Sequence, residues 1–279
     1  MSSKKSTSVH GGILKSSAKV EFISHTLPDI RRATFILGVC EVSEEISSPF
    51  DDGWLIADFY AFNYLLHGLG VSQKWLACSA PRTLIEKHGE YLHGNPYMDR
   101  KVVLSYPLLD SNRLSEVTVV SPENILDEFL SSLKTICDTA REKKAPVLVF
   151  VFGHGQRFTN SVNVGSLLLS MSAFDSAIGT GVDVTLVNTS CFSGGWSVNP
   201  QAGPDQESES WAASKSIDRC CGSIYASTLI KALSDVASPL AMTDEVIGIS
   251  GSLQPTKPSQ LQAETFNEFA RTVHETLLT

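Results

Sequence analysis

The sequence has no long apolar segment that is free of charge. Its most apolar helical stretch, Trp54 to Val71, contains Asp58 and His67 and is too polar to span a bilayer. The first nineteen residues are polar, include Lys4 and Lys5, and contain no apolar run of the kind found in a secretory signal. We therefore expect a protein that contacts no membrane and works in the cytoplasm.

Positive charge is also scarce. The 279 residues include 22 lysines and arginines against 30 aspartates and glutamates, which gives a formal net charge of −8. Binding to a phosphate backbone needs clustered lysine and arginine side chains, and the sequence has no such cluster. A nucleic-acid partner is therefore not expected.

Cysteine is too sparse for a disulfide scaffold, with six residues in a chain of this size, and its spacing fits no zinc motif. Cys220 and Cys221 are neighbours, which suits neither an ordinary disulfide nor a tetrahedral pair of ligands. We expect most of the cysteines to be reduced and buried, and we expect no metal ion or other cofactor.

The sequence contains two prominent apolar runs. Each is followed by a turn with one reactive side chain. Val147–Phe152 leads into Gly153–Gly155, the turn that carries His154. Val182–Val187 leads into a turn of small polar residues that contains Cys191. A run of β-branched and aromatic residues without polar interruption is typical of a strand that is covered on both faces.

The residues between the two runs predict a helix, because apolar side chains recur there at helical spacing and glycines follow at positions 179 and 181: Leu167, Met171, Phe174 and Ile178. A strand, a helix and a second strand form a right-handed crossover, so the two strands should be adjacent and parallel. Their carboxyl ends then share one edge, where ligands of open α/β sheets bind. His154 and Cys191, 191 − 154 = 37 positions apart, should face one cleft.

The rest of the pattern predicts a single α/β domain over residues 31–279 after a flexible tail at residues 1–30. Further strands are expected at residues 33–39, 74–78, 102–106, 211–214 and 246–249. Helices are expected around an amphipathic stripe from Leu55 to Leu69 that stops at Gly68–Gly70, from Ser121 as N-cap through Ala140, and around residues 224–233 and 266–277. An irregular insertion is expected between the strands at 74–78 and 102–106, and an exposed loop at 197–210.

The chemistry that this cleft suggests is attack of a thiolate on an acyl carbon. Cys191 would supply the sulfur, and His154 would accept the thiol proton and later return it to the leaving group. The backbone N–H groups of Gly155 and Cys191 would stabilise the oxyanion. The sequence names no acid that orients the imidazole, a role that a backbone carbonyl could fill.

Simpler interpretations exist for both side chains. Five of the seven histidines precede a glycine, so the dipeptide carries no information, and only His154 ends a buried strand. Cys191 could simply be a packed thiol, although Gly194 and Gly195 leave room for a substrate backbone. Cys40 also ends a strand, but we expect the acids that follow it to raise the pKa of its thiol: Glu41, Glu44 and Glu45.

Around these two turns the chain resembles the caspase-like cysteine peptidases, the group of caspases, metacaspases and legumains. In that group an apolar strand ends in His-Gly, and a later strand ends in a cysteine followed closely by glycine. Phe150–Gln156 is similar to the metacaspase form of the first motif, and Ser190–Gly194 to that of the second. The resemblance, loose outside the two turns, covers residues 33–235. It implies a three-layer α/β sandwich with a mostly parallel central sheet, and a cysteine endopeptidase that cleaves a peptide or protein substrate.

The resemblance also implies substrate contacts for Thr189, Asp52 and Ser214. Thr189 lies two residues before the cysteine, where metacaspases and legumains carry an acid and caspases a glutamine. Asp52 lies roughly where a caspase presents an arginine, so a preference for aspartate at P1 is disfavoured and a basic P1 residue is left open. Residues 197–210 correspond to the linker that caspases cleave on activation, although an ordinary solvated loop explains them equally well.

Two other functions fit the same residues. The acyl-enzyme could be resolved by an amine, as in peptide ligation, or could arise from a thioester substrate, which would make the chain an acyl transferase or a thioester-releasing enzyme. The fold could instead serve as a catalytically silent binding module. A metacaspase resemblance also admits calcium, but the sequence has no compact carboxylate loop that demands it.

Overall fold

The computed structural model describes residues 30–94 and 100–191, together with Trp196, Ala226 and Ile230. Over this part the chain is an α/β fold in which helices flank a central parallel sheet, as expected for a three-layer sandwich. The strands are β1 (Phe35–Cys40), β2 (Ser72–Ala77), β3 (Tyr91–His93), β4 (Lys101–Leu104), β5 (Val117–Val119), β6 (Val147–Phe152), β7 (Val162–Val164), β8 (Leu167–Leu169) and β9 (Val184–Asn188). The helices are α1 (Gly53–Leu66), α2 (Pro81–His88), α3 (Tyr106–Asp110), α4 (Ile125–Lys143) and α5 (Met171–Ile178).

The central sheet has the strand order β5-β2-β1-β6-β9, and all of its pairs are parallel. Strands β6 and β9 are direct neighbours, with Val147 paired to Val184 and Val151 to Asn188. The prediction of two adjacent parallel strands ahead of His154 and Cys191 is therefore confirmed. Strands β1 and β6 are buried along their whole length, as their unbroken apolar sequences indicate.

Alternate residues of the strands supply two cores, one on each face of the sheet. Phe150 and Phe152 pack with α1 on one face, and Val149 and Val151 pack with α4 and α5 on the other. Gly38 faces the α1 side, where a β-carbon would lie 2.3 Å from the indole of Trp75. Because glycine has no side chain, position 38 leaves room for the indole of Trp75 in the core.

Helix α1 is buried on nearly all sides, whereas the sequence predicted an amphipathic helix with one solvated face. The reason is the antiparallel hairpin of β3 and β4, which covers the outer side of α1. Asp58 on α1 is fully buried and its Oδ1 lies 3.0 Å from Nε2 of His93 in the hairpin, so the polar side chain that made the helix look amphipathic has an internal partner.

The region after β2 was predicted wrongly as irregular. It contains α2 and the β3–β4 hairpin, and the strand predicted at 102–106 corresponds to β4, which lies outside the central sheet. The sequence also failed to predict β5, a strand of three residues at the edge of that sheet. Strands of this length carry too few residues for an alternating pattern to be visible.

Two predicted helix boundaries are also corrected. Leu167 belongs to β8, which forms a hairpin with β7, and α5 begins only at Met171, where the Ser170 hydroxyl accepts the N–H of Ala173. Ser121 is not the N-cap of α4, because its carbonyl closes a turn with the N–H groups of Asn124 and Ile125 before the helix begins. The predicted stop at Gly179 is confirmed, since this residue has φ of 70°.

Several predicted segments lie outside the described residues: the tail at 1–29, the loop at 197–210, the strands at 211–214 and 246–249, and most of the helices predicted near 224–233 and 266–277. Ser214, a predicted substrate contact, is among them. Within the part of the chain that the structure describes, no helix is both long enough and apolar enough to cross a membrane.

Candidate active site

The carboxyl ends of the central strands form an edge that carries the predicted reactive residues. His154 follows β6, Cys191 follows β9, Glu41 follows β1 and Cys78 follows β2. The loop from Glu41 to the start of α1 brings Asp52 to the same edge. Parallel pairing alone explains why residues so distant in sequence meet here.

The turn of His154 is fixed by backbone hydrogen bonds. Its N–H donates to Oε1 of Glu41 over 2.5 Å, and its carbonyl accepts the N–H of Asn163 in β7 over 2.8 Å. The indole of Trp54 meets the imidazole edge-on, with the ring centroids 5.8 Å apart. The imidazole is therefore held between α1 and the loops of the sheet edge, with 39% of its side chain exposed.

Asp52 contacts the imidazole directly, with Oδ1 lying 2.8 Å from Nε2 of His154. The sequence singled out Asp52 as a substrate contact and named no acid for the imidazole. That substrate role stays a prediction, but the carboxylate is already engaged with His154. The pair spans 102 positions of the chain, and only the path of the loop between β1 and α1 brings the two side chains together.

Cys191 and Gly155 pack main chain against main chain. A β-carbon at position 155 would lie 1.7 Å from the carbonyl oxygen of Cys191, so this contact requires glycine. Beyond the two turns, Nε1 of Trp196 donates to the carbonyl of Asn160 over 2.5 Å. The segments that carry the histidine and the cysteine therefore touch at two places. The oxyanion role of the N–H groups at 155 and 191 stays a prediction.

Thr189 is 1% exposed, and both its N–H and its hydroxyl donate to the carbonyl of Val151, over 3.2 and 3.4 Å. These bonds continue the pairing of β6 with β9 by one residue. The hydroxyl is thus used inside the fold, and contact of Thr189 with a substrate stays a prediction.

The other described cysteines are poor nucleophiles. Burial raises the pKa of Cys40 well above its usual range, and it raises the pKa of Cys78 to about 12 and that of Cys137 to about 11. The expected suppression of the Cys40 thiolate is confirmed, but burial is its main cause and the charge of Glu41 a smaller one. Cys191, in contrast, lies at the edge of the sheet, forms no disulfide and is partly exposed.

Glu41 is a buried carboxyl group, 6% exposed, and sequence reasoning missed its role at this edge. Burial raises its pKa to about 8, the charge of Asp52 adds to this, and the N–H of His154 acts in the opposite direction. Only the position of Glu41 directly after a buried strand could have marked it in the sequence.

A cavity of about 590 Å³ opens beside His154. Among the described residues, its lining contains five that bear a carboxyl group and no lysine or arginine: Glu41, Glu44, Glu45, Asp52 and Glu123. Lys87 pairs with Glu44 from α2. Within the described ranges no three of the chain's histidine, cysteine and acidic side chains are grouped so as to hold a metal ion. The cavity therefore offers negative potential to a cationic group without a ready-made set of metal ligands.

No protein-family model matches the chain, and no curated protein matches it. The resemblance to caspase-like peptidases therefore stays a prediction, which rests on the two strand-end turns and on the residues around them.

Proposed function

We propose that the chain is a cysteine endopeptidase in which Cys191 attacks the peptide carbonyl and His154 transfers the proton. The observation that carries this proposal is the packing of Gly155 on the main chain of Cys191, because it brings the turn of the imidazole against the turn of the thiol. The contact between Asp52 and His154 adds an acid that can orient the ring and stabilise its protonated form.

The contact with Asp52 gives the two nitrogens of the imidazole different roles. A carboxylate accepts the hydrogen on Nε2, which leaves the lone pair on Nδ1 to take the proton of the Cys191 thiol. The sulfur then forms a bond to the carbonyl carbon, and the oxyanion is met by the N–H groups of Gly155 and Cys191. The imidazolium returns the proton to the departing amine, and water hydrolyses the remaining thioester with His154 again accepting a proton.

The cavity beside His154 favours a substrate with a positively charged side chain. The described part of its lining supplies carboxyl groups from the loop after β1 and from the turn before α4, and it contains no lysine or arginine. Because Glu41 is largely protonated at neutral pH, the charge that attracts such a substrate comes from the other acids. This supports the basic P1 residue that the sequence left open.

Cleavage of a peptide library that varies the P1 residue tests the proposal. We expect cleavage after lysine or arginine and a loss of at least about 10³-fold in kcat/KM for Cys191→Ala, because the nucleophile is removed. Cys137→Ala, which removes a thiol from α4 on the far side of the sheet core, is the matched control and should retain activity. Cleavage that survives in Cys191→Ala would refute the proposal.

A second arm of the experiment adds an amine nucleophile to the same reactions. Products that carry the amine in place of a free carboxylate would assign the chain to acyl transfer, whereas free carboxylate products support hydrolysis. Mass spectrometry of the products separates the two results.

A further inference from the structure

We propose that Glu41 is a positioning residue for His154, holding the backbone of the histidine turn as a neutral hydrogen-bond acceptor while Asp52 alone presents charge to the imidazole. This inference rests on the proposed function, since it assigns a role at the same site. It concerns the main-chain N–H of His154, which donates to Oε1 of Glu41.

Glu41 forms hydrogen bonds to the residues at the end of β6 through both its main chain and its side chain. The N–H of Glu41 donates to the carbonyl of Phe152 over 3.1 Å, and its Oε1 accepts the N–H of His154 over 2.5 Å. A β-carbon at Gly153 would lie 3.2 Å from the carboxyl carbon of Glu41, so the peptide between Gly153 and His154 lies directly against the carboxyl group. The Glu41 side chain thus fixes the position and direction of the main chain of His154 where it leaves β6.

A carboxyl group is rarely buried in a protein without a cationic partner. Glu41 is 6% exposed. The described ionisable groups that bear on it from neighbouring elements supply no positive charge, apart from His154 when it is protonated: Cys40 in β1, Cys78 after β2, Asp52 before α1 and His154 after β6. Glu45 and Glu123 line the same cavity and add further negative charge, whereas the charge of Glu44 is paired with that of Lys87. These surroundings favour the protonated carboxyl, whose carbonyl oxygen still accepts the N–H of His154.

The division of charge between the two acids has a chemical consequence. Asp52 contacts Nε2 and stabilises the imidazolium once the thiol proton has moved. An ionised Glu41 would add a second negative charge beside the ring and would favour the imidazolium before the reaction, when the ring must accept a proton. A protonated Glu41 avoids this while keeping the turn in place.

Alkylation of Cys191 by iodoacetamide, followed by mass spectrometry of the Cys191 peptide at pH 7, tests the inference without a peptide substrate. His154→Ala should slow alkylation, because the imidazole promotes formation of the thiolate. Glu41→Leu and Glu41→Asp should slow it at least tenfold, because both withdraw the acceptor from the N–H of His154. Glu41→Gln, which keeps a neutral oxygen at the same reach, should recover most of the lost rate. Glu142→Gln, an exposed carboxyl on α4, is the control for a simple loss of charge and should match the native rate.

A titration of the His154 amide resonance in ¹⁵N-histidine-labelled protein gives a second readout. The native resonance should show a transition with a midpoint near pH 8 that is absent in Glu41→Gln, since the amide hydrogen bond reports the ionisation of its acceptor. Circular dichroism shows whether Glu41→Leu folds. If it does not, the alkylation rate of Glu41→Asp and the titration of the His154 amide test the inference in its place.

The outcomes separate the inference from the function on which it rests. If His154→Ala leaves alkylation unchanged, the proposed dyad fails. If His154→Ala slows alkylation but Glu41→Asp and Glu41→Leu do not, the dyad stands and the role of Glu41 is refuted. A rate for Glu41→Gln as low as that for Glu41→Leu, or the same amide transition in Glu41→Gln as in the native protein, would also overturn the neutral-acceptor role.

Discussion

The turn of His154 and the turn of Cys191 lie side by side but are positioned by different parts of the fold. The histidine turn is bonded to Glu41 after β1, to Asp52 before α1 and to Asn163 in β7. The residues that lead to Cys191 are bonded within the β6–β9 pair, through the N–H of Thr189 to the carbonyl of Val151. The thiol therefore follows from the register of two strands, whereas the imidazole depends on tertiary contacts from three other segments.

Breaking the contact between the two turns should have the largest effect. Gly155→Ala places a methyl group at 1.7 Å from the carbonyl oxygen of Cys191, so one turn must move away from the other. We expect kcat/KM to fall by at least about 10³-fold, as for loss of a nucleophile and its base acting together. Steady-state kinetics on the best library peptide checks this.

Gly68→Ala is the control for that substitution. It adds the same methyl group at a position where no atom lies within 4 Å, although φ of 77° makes it conformationally strained. A mild loss of stability with unchanged kinetics is expected there. Full activity in Gly155→Ala would mean that the two turns do not need to be in contact.

The difference between the turns also explains what the sequence could predict. The apolar runs of β6 and β9 are long and uninterrupted enough to be recognised, and pairing then places their ends together. The roles of Glu41 and Asp52 could not be predicted, because hydrogen bonds across 113 and 102 positions depend on the path of a loop that has no periodic pattern. Asp52 was assigned to the substrate from the resemblance, because it lies roughly where a caspase presents an arginine, and this position does not indicate its contact with His154.

The same limit applies to the helices. The helix through Ala140 and the stop at Gly179 rest on local signals and were predicted correctly, apart from the first turn of α4. The burial of α1 was missed because the β3–β4 hairpin that covers it has strands of three and four residues. The strand predicted at 102–106 corresponds to β4, but its three-residue partner β3 was not predicted, so the hairpin and its cover of α1 could not be recognised.

Removing the ring contact while leaving the backbone contacts should have the next largest effect. In Asp52→Ala the main chain of His154 keeps its hydrogen bonds to Glu41 and Asn163, but the imidazole loses the acceptor at Nε2. We expect kcat/KM to fall by about 10²-fold, at the lower end of the roughly 10²- to 10⁴-fold that a positioned general acid–base group contributes. The free energy of unfolding should change by less than about 1 kcal/mol, since this carboxylate is partly solvated.

Asp51→Ala is the matched control for Asp52→Ala, because it removes an exposed carboxylate one residue earlier in the same loop. It should leave kcat/KM within about twofold of the native value. Equal losses in the two variants would mean that general negative charge matters and the contact with Nε2 does not.

The smallest expected effect lies in stability and concerns the backbone anchor. The pKa of Glu41 is raised from 4.5 to about 8 in the folded chain, so below pH 4.5 the carboxyl is protonated in both the folded and the unfolded states. Between these values the unfolded chain releases the proton and the folded chain retains it. The stability that this group contributes is therefore present at low pH and is lost as pH rises towards 8.

Glu41→Gln removes this titration and keeps the acceptor for the N–H of His154. Relative to the native protein, its free energy of unfolding should rise between pH 5 and pH 8, by at most about 1.4 kcal/mol for each pH unit. Urea unfolding of both proteins at pH 5, 6.5 and 8 measures the difference, with Glu142→Gln as the control for an exposed carboxyl. Parallel curves for the native protein and Glu41→Gln would show that Glu41 is ionised in the fold. Glu41 and Asp52 would then both be charged beside His154. The contrast between a neutral acceptor for the main chain and a charged acceptor for the imidazole would be lost.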